Sequence, residues 1–200
     1  MKAVIFDLGN VLVGYDHQAT LAALAARTSV DIATLQDAFA AVGAAAGVGH
    51  LDATQLHAEL TARTSYQGDF ATFIADFAAG IRPDATALAY AVALQERPDV
   101  TVAVVSNTNA AHVAWLDEHV PALKEIDLVM MSNEVGMLKP DPAVYRLALE
   151  LLDVSPAQAI FIDDLADNVA AAQALGLAGL VHEDWATTRP ALEAWLAADA

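Results

Sequence analysis

The chain has 200 residues, 56% of them hydrophobic, with 26 acidic against nine basic side chains and a formal net charge of -17. That balance repels polyanions at long range and argues against nucleic acid or an anionic membrane as partner. The sequence contains no Cys, which excludes disulfides, thiolate catalysis and Cys-ligated zinc. The length suits one domain, or a core with a modest insertion. Much of the apolar surplus is Ala, a helix former. No apolar run approaches the roughly 18–20 residues of a membrane span. Asp7 and the Gly-Asn pair after Leu8 break the N-terminal apolar stretch, unlike a secretory leader. A soluble, cytoplasmic protein is the expectation.

In chain order, the stretch Val4–Leu12 comes first. The apolar run from Ala3 has the pattern of a buried parallel strand. Asp7 interrupts it, and Gly9 and Asn10 let the backbone turn. Helical periodicity follows over Gln18–Arg27, over Asp31–Val42 with Asp31 as N-cap, and over Asp52–Arg63 with Asp52 as N-cap. Gly43–Gly49 reads as small and flexible. Over Phe70–Ala79 the spacing sets Phe70, Phe73, Ile74 and Phe77 on one stripe. These helices have no strand among them, and residues 16–80 read as a helical cap inserted into a core made of 1–15 and 81–200.

Alternation then resumes: helix Asp84–Glu96, turn Arg97–Asp99, strand Val100–Val105, helix Ala110–His119, short strand Leu128–Met131 and a long loop Ser132–Asp141. Helix Pro142–Leu152 starts with Pro at its first position. Strand Ala159–Ile162 stops at Asp163 and Asp164. Helix Val169–Leu175 closes on Gly176, and a short strand Leu180–Val181 and a last helix Arg189–Ala198 complete the chain. The fold class is α/β, a doubly wound parallel Rossmann-like sheet with the helical cap inserted.

Four polar signals fall where the carboxyl edge of that sheet belongs: Asp7, Ser106-Asn107, Lys139 and Asp163-Asp164. Each alone has an ordinary explanation, as a loop cap, a helix cap, a solvated loop charge and a polar turn. Their chemistry is complementary, however. Asp7 with Asp163 and Asp164 supplies hard oxygen ligands for an ion such as Mg²⁺. Ser106 and Asn107 offer neutral donors at a helix start, which suits an anion, and Lys139 adds a fixed positive charge. A metal, donors and a Lys around one carboxylate make a phosphoryl-transfer site with Asp7 as candidate nucleophile. The histidine pairs His50/His57 and His112/His119 lie two helical turns apart and are not adjacent on a helix. His17 and His50 are better placed for substrate contact near a cap–core cleft. Trp115, Trp185 and Trp195 read as packing residues.

At these residues the chain resembles the haloacid dehalogenase superfamily, and within it the Mg²⁺-dependent phosphatases. The motifs are Phe-Asp-Leu-Gly-Asn-Val-Leu at Phe6–Leu12, Val-Val-Ser-Asn-Thr-Asn at Val104–Asn109, Gly-Met-Leu-Lys-Pro-Asp-Pro-Ala-Val-Tyr at Gly136–Tyr145, and Phe-Ile-Asp-Asp-Leu-Ala-Asp-Asn at Phe161–Asn168. The finer resemblance is to the bacterial α-D-glucose-1-phosphate phosphatase branch. The resemblance implies that Asp7 attacks phosphorus to give an aspartyl-phosphate, that Ser106, Asn107 and Lys139 hold the phosphoryl group, and that Asp7, the Gly9 carbonyl and Asp164 bind Mg²⁺, with Asp163 a ligand directly or through water. It further implies a small phosphorylated substrate, for which a sugar 1-phosphate is one candidate. Most such phosphatases carry an acidic Asp where this chain has Gly9. The competing readings are a metal-independent 2-haloacid dehalogenase and a non-catalytic phosphate-binding protein.

Overall fold

The computed structural model describes residues 1–198. Strand β1 (Lys2–Phe6) opens the chain and leads through a turn to β2 (Val13–Tyr15). Four helices follow, α1 (His17–Ala25), α2 (Ile32–Gly47), α3 (Ala53–Thr64) and α4 (Phe70–Phe77), and then β3 (Ile81–Pro83). The remainder alternates as α5 (Ala85–Leu94), β4 (Val100–Ser106), α6 (Ala110–His119), β5 (Leu128–Met131), a single turn α7 (Ser132–Val135), α8 (Pro142–Leu152), β6 (Ala159–Asp163), α9 (Ala166–Ala174), β7 (Ala178–Val181) and α10 (Trp185–Ala197).

Five of the strands form a parallel sheet in the order β5-β4-β1-β6-β7. The register sets Val4 beside Val102 and Ile160, so that every second residue contributes to the same layer. Val4, Phe6, Val104 and Ile162 pack on one face with Leu88, Ala91 and Leu94 of α5 and Leu192 of α10. Ile5, Val105 and Phe161 pack on the other with Val144, Tyr145 and Ala148 of α8 and Ala172 of α9. Burial on both faces explains the unbroken apolar runs. Because the chain leaves β1 for β4 on one side and reaches β6 on the other, the strand order reverses at β1. That reversal opens a crevice at the carboxyl ends, where open α/β sheets take their ligands.

Helices α1–α4 build a third apolar cluster around Leu35, Leu56, Leu60, Phe73 and Phe77, joined by Ala111 of α6. Carboxylates start most of the helices. The side chains of Asp16, Asp31, Asp52, Asp69, Asp84, Asp141 and Asp184 each accept a hydrogen bond from a first-turn N–H of their helix. Such caps contribute about 1 kcal/mol each, and they account for part of the acidic excess.

The structure departs from the sequence expectations in a few places. Gly43–Gly49 is no flexible linker, since α2 continues to Gly47. Ala44, Ala45 and Ala46 favour helix, and at Gly47 a Cβ would lie 3.3 Å from the Leu138 side chain. Phe70 leaves the expected stripe and is 42% exposed, while Phe73 and Phe77 are buried. The loop after β5 begins with the helical turn α7. Helix α9 starts three residues before Val169, strand β7 two before Leu180, and α10 four before Arg189, capped by Asp184. The antiparallel pair β2–β3, three residues in each strand, is too short to show a period of two. Among the described residues no helix is long and apolar enough to cross a membrane.

Candidate active site

Asp7 sits immediately after β1, and its backbone N–H donates to the Ile162 carbonyl at 2.7 Å, which clamps it to β6. Only 7% of it is exposed. Its Oδ1 accepts from the Leu8 N–H at 2.7 Å and lies 2.6 Å from Lys139 Nζ. No protein group among the described residues bonds Oδ2, which faces the open space beside Gly9, 3.9 Å from where a Cβ would stand. Burial pushes the Asp7 carboxyl up to about 6, with Lys139 working against that rise and Asp163 adding to it.

Asp163 ends β6 and is fully buried. Its Oδ2 lies 2.7 Å from Lys139 Nζ and accepts from Asn168 Nδ2 at 3.0 Å, and its Oδ1 accepts from the Leu165 N–H and again from Asn168. Every oxygen of this carboxylate therefore has a protein donor. Asp164 is half-buried, and its Oδ2 accepts from Asn10 Nδ2 at 2.9 Å. Asn10 adopts the left-handed backbone conformation (φ 55°), one that Asn tolerates better than most residues. Its Oδ1 accepts from the Tyr15 N–H.

One oxygen from each of Asp7, Asp163 and Asp164 falls within 4.8 Å of the others, the only such acidic or His cluster among the described residues. Two of the three carboxylates, Asp7 and Asp163, share one buried cation, Lys139, whose Nζ also lies 5.4 Å from the Phe161 ring centre. The remaining negative charge and the all-oxygen donor set fit a hard divalent ion.

Ser106 closes β4 and is buried. The Asn107 side chain brackets the Lys139 peptide, donating to its carbonyl and accepting from its N–H, both at 2.8 Å. The resemblance gave Asn107 to the phosphoryl group, whereas its amide is engaged in holding the Lys139 backbone. All seven residues picked from the sequence, Asp7, Gly9, Ser106, Asn107, Lys139, Asp163 and Asp164, converge on one crevice. Six of them line a cavity of about 290 Å³, and Asp163 lies beneath it.

Sequence reasoning missed Asn168 and Asn10, the braces of Asp163 and Asp164. Both lie inside the quoted motifs, and their amides are the available signal. Neither His17 nor His50 lines the cavity; His17 Nδ1 lies 3.5 Å from the hydroxyl of Tyr15, which does. His112 does line it. Burial holds this imidazole down to about 4, against a hydrogen bond to the Phe77 carbonyl that favours the charged form and with nearby His17 lowering it further. His57 stacks on Phe73 and His119 on Trp115.

The family description "haloacid dehalogenase-like hydrolase" matches residues 1–176, and the chain belongs to that family. A sesquiterpene phosphatase of Aspergillus oryzae is 29% identical over 184 residues, covering 90% of this chain and 88% of that protein. Mouse acyl-CoA dehydrogenase family member 10 is 38% identical over 71 residues and rat bifunctional epoxide hydrolase 2 is 31% identical over 70, matches that span 7% and 13% of those proteins. Among solved structures, a family enzyme from Bacteroides thetaiotaomicron, in complex with magnesium and inorganic phosphate, superposes with a TM-score of 0.81 at 21% identity, covering 94% of this chain and 98% of that one. A predicted hydrolase from Porphyromonas gingivalis gives 0.82 at 22%, covering 100% and 99%. These likenesses show the shared fold.

Proposed function

We propose that this protein is a Mg²⁺-dependent phosphomonoesterase that cleaves a small phosphorylated metabolite through an aspartyl-phosphate on Asp7. The observation that carries the reading is the split environment of Asp7: one oxygen is fixed by Lys139 and the Leu8 N–H, the other faces the cavity, and two further carboxylates stand alongside. The phosphatase name of the Aspergillus relative and the magnesium and phosphate bound by the Bacteroides enzyme support the same reading.

In this reading residues 16–80 act as the cap over a core of 1–15 and 81–200. Asp7, the Gly9 carbonyl and Asp164 would hold Mg²⁺, which when bound neutralises charge on the phosphoryl oxygens. Asp163, whose oxygens accept from Lys139, Asn168 and the Leu165 N–H, positions Lys139 and would reach the metal directly or through water. Asp7 attacks phosphorus, and the ester P–O bond breaks with its electrons leaving on the alcohol oxygen. Water then attacks phosphorus, releasing inorganic phosphate and restoring Asp7. The Lys139 ammonium, the Ser106 hydroxyl and the Asn107 backbone N–H, the last two without protein partners among the described residues, receive the phosphoryl oxygens. Gly9 offers no side-chain acid to protonate the leaving oxygen. Esters with an acidic leaving oxygen suit such a site, and the anomeric oxygen of a sugar 1-phosphate meets that criterion.

The test is turnover of a panel of phosphate monoesters with Mg²⁺ and with chelator. Phosphate release should stop on chelation and return with Mg²⁺. Hydrolysis in ¹⁸O-water should place label in phosphate. Full activity in chelator, or label in the Asp7 carboxylate, would replace the phosphatase with a dehalogenase-type ester mechanism.

A further inference from the structure

We infer that the ester taken by this site is the monophosphate of an uncharged, largely apolar alcohol; this rests on the phosphomonoesterase reading above and displaces the sugar 1-phosphate, which meets the leaving-group criterion alone. The leaving group must lie on the far side of the phosphoryl donors from Asp163. Above the polar floor of Asp7, Ser106 and Lys139, the 290 Å³ cavity is walled by Tyr15, Ile81, Leu116 and the exposed Leu165. A second compartment of about 250 Å³ shares Tyr15, Asn107, Thr108 and His112 with the first and runs between Phe39, Leu56, Phe77 and Leu138. Phe39 and Phe77 stack at 5.3 Å between ring centres, and His112 lies edge-on to Tyr15.

The polar groups in these walls are already engaged with one another. Asn109 Oδ1 accepts from the Ala111 and His112 N–H groups, and its Nδ2 lies 3.3 Å from His112 Nδ1. His112 Nε2 in turn lies 3.3 Å from the Phe77 carbonyl. The Asn107 amide is held by Lys139. The Thr108 hydroxyl, and the Tyr15 hydroxyl with its long 3.5 Å contact to His17 Nδ1, are what remains in the second compartment for a ligand's polar atoms. A sugar seated there would leave most of its hydroxyls desolvated without partners, at a cost an apolar group escapes.

Charge points the same way. Among the described residues Lys139 is the only Lys or Arg lining either compartment, and two carboxylates already hold it. His112 stays neutral above about pH 4. A second phosphate or a carboxylate on the substrate would therefore meet no cation, in a protein whose net charge of -17 repels it from afar.

The experiment compares kcat/KM for cyclohexylmethyl phosphate and glucose 6-phosphate, which share ring size and a primary leaving oxygen and differ in hydroxyls. Acetyl phosphate serves as a substrate with almost no leaving-group contact. We expect the cyclohexylmethyl ester to lead by about tenfold or more, the scale on which buried polar mismatches discriminate. Equal or better turnover of glucose 6-phosphate, with Mg²⁺ dependence intact, would overturn the inference and leave the phosphatase standing. No turnover of any of the three would remove the phosphatase itself.

A gain-of-charge variant adds an independent arm. Gly43 lines the second compartment, and a Cβ there meets nothing within 4 Å, so Gly43→Lys keeps the fold. It should raise kcat/KM for fructose 1,6-bisphosphate relative to the cyclohexylmethyl ester by about tenfold, the factor that 1.4 kcal/mol of added attraction supplies. Wild-type protein that already prefers the bisphosphate, or a ratio unmoved by the added Lys, would contradict the inference.

Discussion

The carboxyl edge of the sheet and the first turn of α6 across the cavity both bury ionisable groups, and they treat them in opposite ways. At the sheet edge Asp7, Asp163 and Lys139 are packed together with negative charge in excess, and burial raises the Asp7 carboxyl to about 6. Across the cavity, burial leaves His112 uncharged, and its ring nitrogens face Asn109 and the Phe77 carbonyl. One region stores electrostatic cost, the other removes it. The contrast teaches where chemistry is to be sought: at the edge whose charges are not balanced within the chain. The quiet region offers shape and apolar surface, which discriminate among substrates without performing a step.

The sharpest way to break this contrast is to remove the stored charge. Asp7→Asn should lower kcat/KM by at least about 10³-fold, as expected for loss of a nucleophile. The same variant should be more stable than wild type when metal-free at neutral pH, by up to about 3 kcal/mol. The sign follows from the raised carboxyl: the fold binds a proton more tightly than the unfolded chain between about pH 4 and 6, so ionisation above that window costs stability. Urea denaturation in chelator measures it, and an unchanged midpoint would mean that Lys139 already balances Asp7.

Removing the counter-charge from outside is the next step down. Asp164→Ala leaves Asp7 and Lys139 in place, yet activity at millimolar Mg²⁺ should fall by about 10²–10³-fold, since a polarising metal supplies several kcal/mol. Mg²⁺ titration of phosphate release checks this, and an unaltered activation curve would remove Asp164 from the metal set.

Position 9 tests whether the edge lacks only a proton donor. A side chain there meets Asp7 Oδ2 at an ordinary 3.9 Å, and the backbone needs no left-handed conformation. Gly9→Asp should therefore raise turnover of alkyl phosphates by about 10²-fold, the lower end for general acid catalysis. It should also flatten the dependence of kcat/KM on leaving-group pKa. A wild-type plot that is already flat would show that a proton reaches the leaving oxygen by another route.

The smallest effect belongs to the quiet side. The folded protein keeps His112 neutral down to about pH 4, whereas the unfolded chain protonates it near its ordinary 6.5. The unfolded state thus binds more protons across that window, and stability should fall as pH drops from 6.5 towards 4, by about 2–3 kcal/mol from this residue. His112→Gln should flatten that part of the stability profile. An identical slope in the variant would assign the pH response to other groups.

Much of this contrast was legible in the sequence, and the parts that were not share a physical cause. Buried strands announce themselves as apolar runs, and Asp7, Ser106 and Asp163 stand out because each ends one. Their convergence in space follows from parallel topology alone. Asn10 and Asn168 stayed hidden because an amide beside a turn or in the first turn of a helix reads as local capping, while their partners lie across the fold. The continuation of α2 through Gly43 and Gly47 was masked by glycine's poor helix propensity, which the intervening alanines outweigh. The cavity walls were the least legible. Tyr15, Phe39, Phe77 and His112 come from four different elements, and no periodicity within one segment reports on a surface assembled from four.

Trp185 carries a consequence for anyone shortening or tagging this chain. Its indole N–H donates to the Val11 carbonyl at 2.9 Å, and its ring stands against Phe6 and Tyr90. The turn that carries Gly9 and Asn10 is thereby pinned by the first residue of α10, beyond the 1–176 stretch that the family description matches. A fragment cut at that boundary would retain every strand-end carboxylate and lose the strut that steadies the turn between them. The minimal unit for crystallisation, fusion or directed evolution therefore reaches past Trp185, and an affinity handle is safer beyond Ala197, where α10 ends, than in place of that helix.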